Sequence, residues 1–226
     1  MTPLARGAAE GDVPWTIYRR ALDVPLALDI VERFAARLGT PSLRDGDRAA
    51  WPIMPRKAHG TFSETDGEAR LHTDSQYHRL PERAFILACE RPAKDGGASI
   101  LLDCREARHI AHDRLGMEGL RLLERPLWSW SVPEVFQRQG VPSVSPPAAV
   151  FAEDGSIRWR IDNIQCGSEE LFQIARSFAD ALSGAPEVVR VVLGAGDVLF
   201  CDNRFALHGR ETFSDRERLL YRVRLS

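Results

Sequence analysis

Apolar residues recur along this chain with two different periods. Leu26, Ile30, Phe34 and Leu38 fall at helical spacing, and Gly39 followed by Pro41 stops the run, so the pattern predicts a helix over 26–38. Leu171, Ala175, Phe178 and Leu182 repeat the pattern behind Ser168, a natural N-cap, and ahead of Gly184. A further helix is expected from about 106 through 120–123, capped by Asp103 and broken near Gly116. The other apolar runs are short: 15–18, 51–54, 84–89, 98–102, 127–132, 188–193, 198–201 and 219–225 all read as strands. Turn signals separate them. Asp66-Gly67 marks one turn, 94–97 reads as a hairpin turn joining 84–89 to 98–102, Asp154-Gly155 as the tip of a hairpin over 150–160, and 194–197 as another turn. Residues 1–14 are small and polar and read as loosely held, while 40–60 and 141–147 read mostly as loop. Many short strands with glycine turns and a few helices predict a mainly β barrel or sandwich with flanking helices.

The length of 226 residues suits one domain over 1–226 with a full core. Thirty basic and 32 acidic residues leave a net charge of −2, which gives no electrostatic reason for nucleic acid or an anionic membrane as partner. Cys89, Cys104, Cys166 and Cys201 form no CxxC pair and no zinc-type spacing with histidine, which points to reduced thiols and a cytoplasmic setting. No signal-peptide core and no run of transmembrane length is present, so no membrane span is expected.

The chemistry concentrates in His72-Thr73-Asp74. On an extended segment a histidine and a carboxylate two residues apart point to the same side, with Thr73 facing away. By itself such a pair is common and usually a surface or capping feature. His208 is the candidate third ligand, since two histidines and one carboxylate with open positions opposite suit non-haem Fe(II). His109 and His112, three apart on a predicted helix, read instead as a solvated face.

The segments LHTDSQY, LACERPAKDGGASILLD, GAGDVLFCDNRFALHGRETF and RERLLYRVRL, in this order, resemble the Fe(II)/2-oxoglutarate dioxygenases of the taurine dioxygenase and clavaminate synthase-like superfamily. The resemblance covers most of 70–103 and 194–225. It implies a double-stranded β-helix (jelly-roll, cupin-like), which brings His72 and His208 together, and Fe(II) with 2-oxoglutarate and O2 as co-substrates. His72, Asp74 and His208 would hold the metal. Arg218 would hold the far carboxylate of 2-oxoglutarate with help from Ser99, and Arg222, four residues on along the strand, would face co-substrate or substrate. The looser stretch 105–190 is expected to be a variable helical and loop insert that shapes the substrate pocket.

On the substrate side, Gln76 and Tyr77 follow the H-x-D pair and are expected near the pocket. Trp128, Trp130 and Trp159 are candidates for its lining, though buried tryptophans usually pack a core. Arg160 and Asp162 alternate on one face, shared by Arg158, and read either as a site for a zwitterion or as a rim ion pair. Arg210 reads as an anion anchor or a loop brace. The expected activity is oxidation of an unactivated C–H bond in a small polar molecule, an amino acid or specialised-metabolism intermediate first and a sulfonate or carboxylate second. The rival is a non-catalytic jelly-roll binding or sensor protein, and a cupin with another metal ranks below both.

Overall fold

A computed structural model describes residues 13–43, 48–56, 64–137 and 142–226. The expectation for the first twelve residues therefore lies outside the described part of the chain. The order is β1 (Trp15–Tyr18), α1 (Leu28–Ala35), β2 (Ala50–Ile53), β3 (Ala69–His72), β4 (Ala84–Arg91), β5 (Ser99–Asp103), α2 (Cys104–Leu123), β6 (Trp128–Trp130), β7 (Ile164–Cys166), α3 (Glu169–Ser183), β8 (Val189–Val191), β9 (Val198–Asp202), β10 (Ala206–Arg210) and β11 (Leu219–Leu225).

One sheet runs β1-β9-β4-β11-β2 and the other β3-β10-β5-β8, antiparallel throughout. Their inner faces share a core in which Phe85, Leu199 and Leu220 from the first sheet meet Leu101, Val191 and Ala206 from the second. The outer face of the five-stranded sheet is covered by α1 through Val31, Phe34 and Ala35 against Ile86, Val198 and Val223. The outer face of the four-stranded sheet, with Leu71, Leu102 and Leu207, is covered by α2, α3 and the small β6–β7 ribbon. Sheet against sheet with helices outside is the double-stranded β-helix, and each strand alternates between its two sides because successive side chains do.

Several local expectations hold for the expected reasons. Asp103 accepts from the Arg105 amide at the start of α2, and Gly116 kinks that helix at φ 67°. Ser168 accepts from the Leu171 amide and caps α3, which buries Ala175, Phe178 and Leu182. Trp128, Trp130 and Trp159 pack fully into the core, so they do not line the pocket.

Other expectations are corrected. Helix α1 is shorter than 26–38, and Ile30 is 39% exposed, because residues four apart drift by about 40° per step around a helix of 3.6 residues per turn. Leu26 and Phe34 are buried as expected, and Val31 and Ala35, not Ile30, complete the inward face. Strands β4 and β5 do not form a hairpin; they belong to opposite sheets. Gly96 and Gly97, at φ +58° and +67°, turn the chain across the sandwich, and the turn is held by 212–215. There the Gly97 amide donates to the Thr212 carbonyl at 3.0 Å, and Asp95 accepts from the Ser214 and Asp215 amides. The expected hairpin over 150–160 is present in short form, turning at Asp154-Gly155, with the Phe151–Ile157 bridge flanked by the Ala152 amide to the Ser156 carbonyl and the Arg158 amide to the Val150 carbonyl. Strands β7 and β10 went unpredicted.

Candidate active site

Strand β3 ends on His72, and antiparallel pairing sets His208 of β10 directly opposite it. The register shifts just after His208, where Gly209 runs so close to the Ala69 carbonyl that any Cβ would collide with it. The two imidazoles stand 4.4 Å apart between ring centroids, and Phe85 packs on His208 at the same distance. Asp74 corrects the expectation of a shared strand: it lies in the turn beyond β3, before Ser75 at φ 57°. Thr73 does face away, exchanging hydrogen bonds with the backbone of Trp159.

Without a ladder to hold it, Asp74 is fixed by a residue the sequence reading passed over. Asn203, 2% exposed in the β9–β10 turn, accepts from the Asp74 amide at 2.7 Å. Its Nδ2 donates to the carbonyls of Asp74 at 3.1 Å and Glu82 at 2.9 Å. One amide thus ties the turn carrying Asp74 to the β9–β10 connection that leads into His208. No motif spacing announces this, since Asn203 acts only on backbone groups 121 to 129 positions away.

The Nε2 atoms of His72 and His208 each lie 3.8 Å from Asp74 Oδ1, and the potential ligand atoms of the three residues fall within 4.8 Å of one another. Asp74 Oδ2 accepts from Arg222 Nη1 at 3.0 Å, which leaves Oδ1 turned to the imidazoles. Burial works to raise the Asp74 pKa, but the Arg222 guanidinium and the neighbouring His208 outweigh it and hold the carboxyl well below its usual range. Burial, with His208 and Arg160 nearby, pushes His72 well below 6.5, so its imidazole is neutral near pH 7. Its Nδ1 sits 2.7 Å from the Arg70 carbonyl, so the proton belongs there and the Nε2 lone pair faces Asp74. Two imidazole nitrogens and an ionised carboxylate oxygen converging on one point fit a divalent iron.

A cavity of about 660 Å³ opens over this cluster. Arg218 lies in its wall, 4% exposed, with Nη2 3.4 Å from the Gly97 carbonyl and Nη1 without a hydrogen-bond partner. Burial, with the charge of Arg210 nearby, pulls its pKa down to about 10. The Phe213 ring lies 4.9 Å from both guanidinium groups. A buried cation with an unused donor, beside Ser99 in the same wall, fits a carboxylate.

The remaining expected residues divide. Tyr77, Arg160, Asp162 and Arg210 line the cavity. Arg160 and Asp162 form an ion pair at 3.5 Å. Arg210 braces the turn at 65–67 by donating to the Gly67 carbonyl and to Thr65. Gln76 is fully buried outside the lining; its Nε2 donates to Asn163 at 2.9 Å, so it supports a wall residue and does not reach the cavity. Arg158 also misses the cavity, donating to the Arg79 carbonyl with its guanidinium over Trp130. His109 and His112 sit on the exposed face of α2 beside Glu106 and Asp113. From 105–190 the cavity takes Phe136 and Asn163 besides Arg160 and Asp162. Arg224, which carries no motif signal, joins Arg222 in the wall, two residues on along β11. All four cysteines are free, and no described helix is long and apolar enough to cross a membrane.

Fold and cluster together define a double-stranded β-helix protein with a two-histidine, one-carboxylate centre. The chain belongs to the taurine catabolism dioxygenase TauD, TfdA family, whose model matches residues 24–224. Among solved structures it is similar to asparagine oxygenase with Fe(II), 2S,3S-3-hydroxyasparagine and succinate, at 20% identity and TM-score 0.74, over 87% of this chain and 63% of that one. It is also similar to asparagine oxygenase (AsnO), at 16% identity and TM-score 0.75, over 94% of this chain and 73% of that one. A third is the non-haem iron oxygenase OrfP with Fe and alpha-ketoglutaric acid, at 21% identity and TM-score 0.69, over 94% and 74%. The chain thus spans less than two thirds of the first of these, and at such identities the likeness is one of fold. No curated protein matches the sequence significantly.

Proposed function

We propose that this protein is an Fe(II)- and 2-oxoglutarate-dependent oxygenase that hydroxylates, or otherwise oxidises, an unactivated C–H bond of a small polar substrate such as an amino acid. The observation that carries this is one cavity containing both the His72–Asp74–His208 cluster and the buried, half-satisfied Arg218. Similar folds hold iron with succinate or alpha-ketoglutaric acid, and two of their ligands are hydroxylated amino acids, hydroxyasparagine and hydroxyarginine.

In this reading His72, Asp74 and His208 would hold the metal in the wall of the cavity. When bound, ferrous iron with 2-oxoglutarate and O2 supplies the oxidising power for the C–H bond, with 2-oxoglutarate leaving as succinate and CO2. Arg222 keeps the Asp74 carboxylate oriented by holding Oδ2. Arg218, 4% exposed, fixes the far carboxylate of 2-oxoglutarate, with Ser99 in the same wall. In this reading the Arg160–Asp162 ion pair, which lines the cavity, meets the carboxylate and ammonium of an amino-acid head group. Tyr77, 6% exposed and stacked on Phe136, closes a wall against solvent.

The test is an anaerobic titration of the protein with Fe(II) and 2-oxoglutarate, read by the metal-to-ligand charge-transfer absorption of the chelate. The band is expected in the wild type and absent in His208→Ala. A wild-type protein that binds Fe(II) yet never develops the band sinks the proposal.

A further inference from the structure

The cavity wall changes character from one strand to the next. Strand β2 is the outermost of the five-stranded sheet, and the residues it turns to the cavity are apolar. Directly opposite residues of neighbouring strands share a face. Trp51 therefore stands beside Arg222 of β11, with Leu87 of β4 on the arginine's other side, and Ile53 stands beside Leu220. Trp51 is 44% exposed, whereas the other four tryptophans, Trp15, Trp128, Trp130 and Trp159, are at most 9% exposed.

A second apolar arm comes from the loop after β6. Residues 134–136 make one 3-10 turn, in which the Phe136 amide donates to the Pro133 carbonyl at 2.8 Å. Phe136 stacks on Tyr77 with ring centroids 6.2 Å apart, which anchors this turn to the segment that carries Asp74. The turn presents Pro133, Val135 and Phe136 to the same cavity, and Val135 is 55% exposed.

Large apolar side chains left in water along a cavity gain free energy when an apolar group covers them. A polar group placed there gives up its water without a comparable replacement. The charged Arg56 and Glu64 of the cavity pair with each other at 3.3 Å. Another strand is a poor occupant of the β2 edge, because Pro52 has no N–H to offer it. A small molecule at the metal cluster can reach the apolar wall directly. Trp51 is one strand spacing, about 4.8 Å, from Arg222, whose guanidinium holds Asp74 at 3.0 Å.

We infer that the substrate carries an apolar body: it is an amino acid whose aliphatic or aromatic side chain packs against Trp51 and the 133–136 turn. The inference rests on the oxygenase reading and narrows it, from small polar substrates to amino acids with apolar side chains.

The test uses the full chain, loaded anaerobically with Fe(II) and 2-oxoglutarate and titrated with L-alanine, L-norleucine, L-phenylalanine and L-glutamine. Binding is read by calorimetry, and Trp51, the one exposed tryptophan, by acrylamide quenching of fluorescence. Each methylene buried strengthens binding about fourfold. L-norleucine or L-phenylalanine is expected to bind tenfold or more tighter than both L-alanine and L-glutamine, and to reduce the quenching at least twofold. Trp51→Ala is expected to cut that preference to threefold or less. Val135→Ser, expected to lower it at least threefold, carries the test if Trp51→Ala does not fold. Equal binding of apolar and polar probes, binding of none of them, quenching unchanged at saturation, or a preference untouched in the folded variants overturns the inference. The 2-oxoglutarate titration made first separates the failures. If 2-oxoglutarate does not bind the iron-loaded chain, the oxygenase reading falls and this inference with it; if it binds and the apolar probes are not preferred, only this inference falls.

Discussion

Replacing Asn203 tests whether a residue outside the cluster sets the geometry within it. Asn203→Ala removes three hydrogen bonds at a position 2% exposed and leaves the Asp74 amide and the carbonyls of Asp74 and Glu82 without it. Each buried polar group so stranded costs about 1–3 kcal/mol. The three belong to one network and do not add independently, so the expected loss is ~3–4 kcal/mol. Asp74 lies beyond the end of β3, so nothing in the sheet ladder restores its position. Loss of such an outer support typically lowers metal affinity about 10–100-fold. Asn203→Asp is expected to behave similarly, because a carboxylate cannot donate to two carbonyls. The assay pairs urea unfolding of the metal-free protein with an anaerobic Fe(II) titration. Asp197→Ala serves as the control: Asp197 is buried, anchors the turn after β8 through the Arg20 and Gly194 amides and Arg19, and is absent from the cavity lining. If Asn203→Ala loses stability as the control does but binds Fe(II) within threefold of the wild type, Asn203 holds the fold and not the metal geometry, and the reasoning fails.

Four further outcomes are expected. Arg218→Met should weaken 2-oxoglutarate binding at least tenfold, while unfolding of the ligand-free protein shifts by less than ~1 kcal/mol, because a buried cation with an unused donor stabilises little until its partner arrives. Burial acts to raise the Asp197 pKa, but its hydrogen bonds outweigh it and hold the value below 3.8. The stability this gives is therefore present above pH 3.8 and lost as pH falls through the lower folded value, so the advantage of the wild type over Asp197→Ala in urea melts should hold from pH 7 to pH 3.8 and shrink progressively below it. Gly209→Ala should destabilise by about 2–3 kcal/mol and weaken Fe(II) binding together, since a Cβ there forces β10 from β3 between the two histidines; intact binding in a metal titration would contradict the register. Phe178→Ala, emptying a fully buried site against Trp159 and Phe151, should cost ~3–5 kcal/mol in urea unfolding without changing Fe(II) affinity.

The sequence by itself determined what depends on neighbours along the chain. Caps and breakers placed α2 and α3, since Asp103, Ser168, Gly116 and Gly184 act within a few residues of themselves. The alternation of β11 was legible for the same reason, as were the candidate ligands, whose chemistry survives in any surroundings. What only the tertiary structure decided is what depends on the path between elements. A turn signal at Asp95-Gly96-Gly97 does not say whether the chain returns to the same sheet or crosses to the other, and here it crosses. The four-residue recurrence in α1 did not say which side meets the sheet, and Val31, not Ile30, faces inward. Gln76, next but one to a candidate ligand, turns into the wall, while Asn203, 129 residues from Asp74, fixes it. His72, Asp74 and His208 could each be read from the sequence as ligand types. That they face one point follows from antiparallel pairing of β3 with β10 and from one buried amide, and neither leaves a periodic mark in the chain.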